Sequence, residues 1–122
     1  MPDTRILIVD DEKELAESML DLLEYEGYLV ELVGTGEDAL QRIDQTYPDF
    51  LILDIKLPGI DGIEVLHRVK AMRPSLPVLI VSASSQKGTR ERATEYGADD
   101  VLLKPFDENE LLSILKNLLG RT

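Results

Sequence analysis

Apolar residues along this chain follow two kinds of pattern, and the two alternate from one end to the other. Residues 6–9, 50–53 and 78–81 are short unbroken apolar runs, too short for helices, and they read as strands buried on both faces. Tyr28 to Val33 and Val101 to Leu103 also have strand character, with Glu31 marking an edge. Between these runs, apolar residues recur three or four positions apart. Leu15, Met19, Leu22 and Leu23 mark a first helix, and Ala39, Leu40 and Ile43 a second. Ile63, Leu66, Val69 and Met72 mark a third, and Leu111, Leu112, Leu115, Leu118 and Leu119 a last. A weaker, polar fourth helix spans about Gln86 to Tyr96. Gly27, Pro48, Pro74, Gly97 and Gly120 supply the stops, and Asp107 or Asn109 the final cap.

Strand and helix thus alternate five times. That alternation predicts an α/β fold: a doubly wound, five-stranded parallel sheet with five helices on its two faces. The common strand order for such a sheet is 2-1-3-4-5, the flavodoxin-like arrangement. Its ligand crevice opens at the carboxyl ends of strands one and three. With 122 residues and no linker or repeat, residues 1–122 form one domain in this reading.

The carboxyl ends of the predicted strands carry the chemistry. Strand one ends in Asp10 and Asp11, and strand three in Asp54. Strand four ends in Ser82, and strand five in Lys104. Taken singly, each has a plain role: Asp10 or Asp11 caps the first helix, Asp54 or Ser82 begins a turn, Lys104 is a solvated amine. Taken together, they bring three carboxylates into one crevice. Two unit charges ~5 Å apart at an effective dielectric of ~20 repel by about 3 kcal/mol. A hard divalent cation such as Mg²⁺ relieves that repulsion, bound by carboxylates, water and a phosphate oxygen. An ammonium and a hydroxyl suit a phosphoryl group, and an aspartate can be its nucleophilic acceptor.

Composition narrows the field. The chain has no cysteine, so neither a disulfide framework nor a thiolate metal site is available. No apolar run is long enough to span a bilayer, and residues 1–9 lack the pattern of a signal peptide, so a cytoplasmic protein without membrane insertion is expected. The net charge is −11 and unevenly spread: 13 acids face 3 bases before Pro48, and 11 face 10 from there on. Such a chain does not bind nucleic acid directly through a general phosphate-attracting surface.

The ordered set of motifs resembles the receiver domain of two-component response regulators. The matching residues are Asp10-Asp11, the loop from Asp54 through Leu57-Pro58-Gly59 to Asp61-Gly62, Ser82-Ala83, Gly97-Ala98-Asp99-Asp100 and Lys104-Pro105-Phe106. The resemblance covers essentially the whole chain. It implies that Asp54 takes a phosphoryl group from a phosphohistidine of a sensor histidine kinase or phosphotransfer protein. It makes Asp11 the principal Mg²⁺ carboxylate, with Asp10 acting through water and Asp54 and the Lys56 backbone carbonyl as further ligands. Ser82 and Lys104 would hold the phosphoryl oxygens, and a cis peptide would precede Pro105. The α4-β5-α5 face would then control a downstream output protein or a C-terminal effector domain.

Two positions depart from the family pattern. Lys56, two residues beyond Asp54, is long and charged, and Val101 stands where an aromatic switch residue is common. Three other readings fit less well. A haloacid-dehalogenase-type phosphatase needs a second acid where Lys56 stands. A flavodoxin-like electron carrier needs a phosphate-cradling loop where Asp10-Asp11-Glu12 would repel the ligand. A pseudo-receiver, a protein-binding module that is not phosphorylated, has no need of the full acid, serine and lysine set. His67 reads as a solvated side chain, and Arg90, Glu91, Arg92 and Glu95 read as a mixed-charge partner face rather than nucleic-acid contacts.

Overall fold

The computed structural model describes residues 4–83 and 88–120. The elements run β1 (Arg5–Val9), α1 (Lys13–Tyr25), β2 (Leu29–Val33), α2 (Gly36–Thr46), β3 (Phe50–Asp54), α3 (Gly62–Met72), β4 (Val78–Ser82), α4 (Thr89–Glu95), β5 (Asp100–Leu103) and α5 (Glu108–Leu119). The strands are parallel and ordered β2-β1-β3-β4-β5, as the alternating pattern predicts. The central strands β3 and β4 are buried along their whole length, which explains their unbroken apolar runs.

Alternation along each strand divides the core in two. Leu7, Val9, Leu51, Leu53, Val78, Ile80 and Val101 meet Ala39 and Ile43 of α2, Val65, Leu66 and Val69 of α3, and Ala93 of α4. Ile6, Ile8, Phe50, Ile52, Leu79, Val81 and Leu102 meet Met19 and Leu23 of α1 and Leu111, Leu115 and Leu118 of α5. Each fully buried large side chain in these layers is worth roughly 1.5–3 kcal/mol of transfer free energy.

The helix ends differ in detail from the sequence reading. Asp107 caps α5 through a full capping box with Glu110. The N-cap of α1 is Glu12, whose side chain makes no capping bond; instead the Glu12 N–H donates to Asp10 Oδ1 at 2.8 Å. The α4 helix begins at Thr89, and the onset predicted near Gln86 lies outside the described residues. With seven residues it is the shortest helix, and Ala93 is its buried residue. Tyr96 is 40% exposed, and its ring meets exposed His67 edge-on at 5.6 Å.

Below α4 the chain is pinned by Lys70. Its ammonium donates to Leu76 O at 2.6 Å and to Asp99 Oδ2 at 2.9 Å, and the same Asp99 oxygen accepts from Val78 N–H at 2.8 Å. The α3–β4 and α4–β5 connections are thereby tied at the start of β4.

Candidate functional site

The register of the sheet sets the site out as a staircase. Val9 pairs with Leu53, so Asp10 is the next step beside Asp54. Asp54 pairs with Val81, which puts Ser82 one residue further along. Ser82 pairs with Leu103, and the Lys104 N–H donates to Ser82 O at 2.8 Å. By alternation Asp10, Asp54 and Lys104 share the parity of Ile8, Ile52 and Leu102, on the α1 and α5 side. Ser82 shares the parity of Val78 and Ile80, toward α3 and α4.

Asp10 and Asp54 are each 4% exposed and Ser82 is fully buried; these are the buried polar and charged residues among those described. Buried carboxylates need partners. Lys104 supplies one ammonium to both, at 3.1 Å from Asp10 Oδ2 and 3.3 Å from Asp54 Oδ2, and it lies 2.7 Å from Glu12 Oε1. The Lys56 N–H donates to Asp54 Oδ1 at 3.2 Å. The Lys104–Pro105 peptide is cis.

Burial is the largest influence on Asp54 and pushes its carboxyl above the usual value. Lys104 opposes this, Asp10 reinforces it, and the Lys56 N–H opposes it. Burial also works against the Lys104 ammonium, but the bond to Glu12, the charge of Asp54 and the contact with Asp10 outweigh it and hold lysine above its ordinary value.

The turn after β3 is shaped by Gly62. Its N–H donates to Ile55 O at 2.9 Å, and a Cβ there would fall 2.4 Å from Asp54 O and 2.5 Å from Ile55 Cα. Only glycine lets the start of α3 press this closely on the end of β3. Asp61 caps α3, accepting from Ile63 N–H at 2.8 Å.

The fold therefore brings Asp10, Asp54 and Lys104 together, with Ser82 on the adjoining step. Asp11, next in the chain after Asp10, is exposed and is not among the acids whose oxygens cluster there. With Lys56, Gly59 and Asp61 it lines a cavity of about 590 Å³ over the β3–α3 turn. The sequence reading missed Glu12. Oxygens of Asp10, Glu12 and Asp54 lie within 4.8 Å of one another, a set of hard oxygen donors that fits a hard divalent cation. The signal for Glu12 was its place two residues beyond Asp10, on the turn into α1.

The family model for the response regulator receiver domain matches residues 6–116. The response regulator MprA of Mycobacterium ulcerans is 41% identical over 118 residues, covering 97% of this chain and 51% of that protein. The MprA protein of Mycobacterium tuberculosis H37Ra is equally similar, with the same coverage. The chain thus spans about half the length of these relatives. Among solved structures, a putative response regulator from Chloroflexus aurantiacus superposes with a TM-score of 0.91 at 39% identity, covering 97% of this chain and 98% of its own. A CheY-like response regulator receiver domain protein from Methanospirillum hungatei gives 0.93 at 32% identity, covering 97% and 94%.

Proposed function

Because this chain belongs to the response regulator receiver domain family, we propose that its Asp54 accepts a phosphoryl group from a phosphohistidine of a sensor histidine kinase or phosphotransfer protein. The observation that carries this reading is the single ammonium of Lys104 shared between two buried carboxylates at the crevice of the sheet. A structural ion pair needs one carboxylate. Two, on neighbouring strands and beside a third acid, make a polyanionic site suited to a divalent cation and a phosphoryl group.

In the transfer, an Asp54 carboxylate oxygen attacks phosphorus. The bond from phosphorus to the donor imidazole nitrogen breaks, and its electron pair leaves with the ring. Lys104 presents its ammonium to the phosphoryl oxygens, and Ser82 donates its hydroxyl to them. Asp10, Asp11, Asp54 and the Lys56 carbonyl are the groups that would hold Mg²⁺, which supplies neutralising charge to the transferring oxygens.

Phosphorylation would then redirect the α4-β5-α5 face toward an output protein or an effector domain. Val101 is 3% exposed, lies in the core layer shared with α3 and α4, and has no ring to turn. The change would therefore pass from Ser82 into α4, the helix held by the least apolar burial. We place this activity in residues 1–122 acting in the cytoplasm, without direct contact to nucleic acid.

The test is an amide NMR titration with beryllofluoride and Mg²⁺. The reading expects a saturable response around Asp54, Ser82 and α4 that requires both components and is absent in Asp54→Asn. No response in the parent would make the chain a pseudo-receiver that binds partners without phosphorylation.

A further inference from the structure

We infer that Glu12 is a positioning residue that draws the Lys104 ammonium off Asp10 and Asp54 so that a divalent cation can take those carboxylates. This rests on the proposed Mg²⁺-dependent function and assigns Glu12 a task apart from metal ligation.

Lysine and cation compete for the same carboxylate oxygens. Lys104 Nζ lies 3.1 Å from Asp10 Oδ2 and 3.3 Å from Asp54 Oδ2, so in the resting protein the ammonium sits on the oxygens a cation would need. The Lys104 side chain is only 8% exposed, so it has little access to water as an alternative partner. If Asp10 and Asp54 were its only anions, binding a cation would strand a nearly buried charge, which is costly.

Glu12 removes that difficulty. Its contact with Lys104 Nζ, at 2.7 Å, is the shortest of the three. Its side chain is 57% exposed, so it keeps its hydration while holding the lysine. Its other possible local task is unfilled, since as the N-cap of α1 it makes no side-chain capping bond. Glu12 thus gives Lys104 an anchor that survives when Asp10 and Asp54 turn to the cation.

A double-mutant cycle on Mg²⁺ affinity tests this, with calorimetric titration of the parent, Glu12→Gln, Lys104→Met and the double variant. Glu12→Gln is isosteric, Lys104→Met keeps the unbranched stem while removing the ammonium, and thermal melts verify folding. Lys104→Met alone should tighten Mg²⁺ binding by removing the competitor. Loss of one nearby negative charge weakens binding in either background, so the informative quantity is the difference. Glu12→Gln should cost about fivefold more affinity in the parent than in the Lys104→Met background, within the usual range of coupling between sites. Equal losses in both backgrounds would make Glu12 a metal ligand or a bulk charge and overturn the inference. No loss in either would overturn it as well. A parent that binds no Mg²⁺ would overturn both the inference and the function on which it rests.

Discussion

Replacing Gly62 with alanine should damage this protein more than any other single methyl addition at a glycine. The added Cβ would lie 2.4 Å from Asp54 O, 2.5 Å from Ile55 Cα and 2.7 Å from Ile55 O. All three are backbone atoms, so no rotamer change relieves the contact. Overpacking typically costs 1–3 kcal/mol, and a clash that only backbone movement can relax belongs at the upper end, about 3 kcal/mol. Better helix propensity of alanine over glycine returns up to roughly 1 kcal/mol in a helix interior and less at the first position of α3. At about 4 °C per kcal/mol for a domain of this size, the melting temperature should fall by roughly 10 °C. Two glycines act as controls. At Gly36 the nearest atom, Val65 Cγ2 at 2.5 Å, belongs to a buried, stiff side chain, but the nearest backbone atom, Ile60 O, is 3.2 Å away, so the loss should be smaller than at Gly62 and larger than at Gly27. At Gly27, φ is +100° with nothing within 4 Å, so the cost is backbone strain alone, about 1 kcal/mol. Urea denaturation with an unchanged slope measures all three. A Gly62→Ala loss no larger than that of Gly27→Ala would refute the close approach of α3 to the end of β3.

Two further outcomes follow from the charges. Burial holds the Asp54 carboxyl above its ordinary value, so its ionisation opposes folding. The penalty is absent when both states are protonated, grows as pH rises from the unfolded to the folded pKa, and is complete only above the folded pKa. In EDTA at pH 7, Asp54→Asn should therefore melt above the parent, with the gap closing as pH falls toward about 4; a gap that is absent at pH 7 or widens in acid contradicts the assigned direction. Lys70→Met should cost about 2 kcal/mol in chemical denaturation, because it leaves Leu76 O and Asp99 without their shared ammonium. A neutral result would mean that the clamp between α3 and the start of β4 is not formed in solution.

The sheet was legible because its signal is local. Continuous apolar runs in β1, β3 and β4 and helical spacing in α1, α3 and α5 are written directly in the order of residues. Asp10, Asp54, Ser82 and Lys104 were legible for the same reason, since each follows the last apolar residue of a strand or ends it. What the sequence withheld depends on side-chain direction across distant segments. Glu12 reaches Lys104 across 92 positions, and nothing in its neighbourhood announces that contact. Asp11 and Glu12 look alike in the string of acids, yet Asp11 opens onto the β3–α3 cavity while Glu12 turns to the lysine. The roles of Lys70 and Asp99 were hidden similarly, because a clamp joining two connections has no periodicity of its own.

The central claim is that Asp54 is a metal-assisted phosphoryl acceptor, and intact mass spectrometry after incubation with acetyl phosphate tests it most directly. The parent in Mg²⁺ should gain the mass of one phosphoryl group, with the label on the peptide containing Asp54. Parent in EDTA and Asp54→Asn in Mg²⁺ should stay unmodified. A full shift in either of those samples, or no shift in the parent with Mg²⁺, would contradict the account.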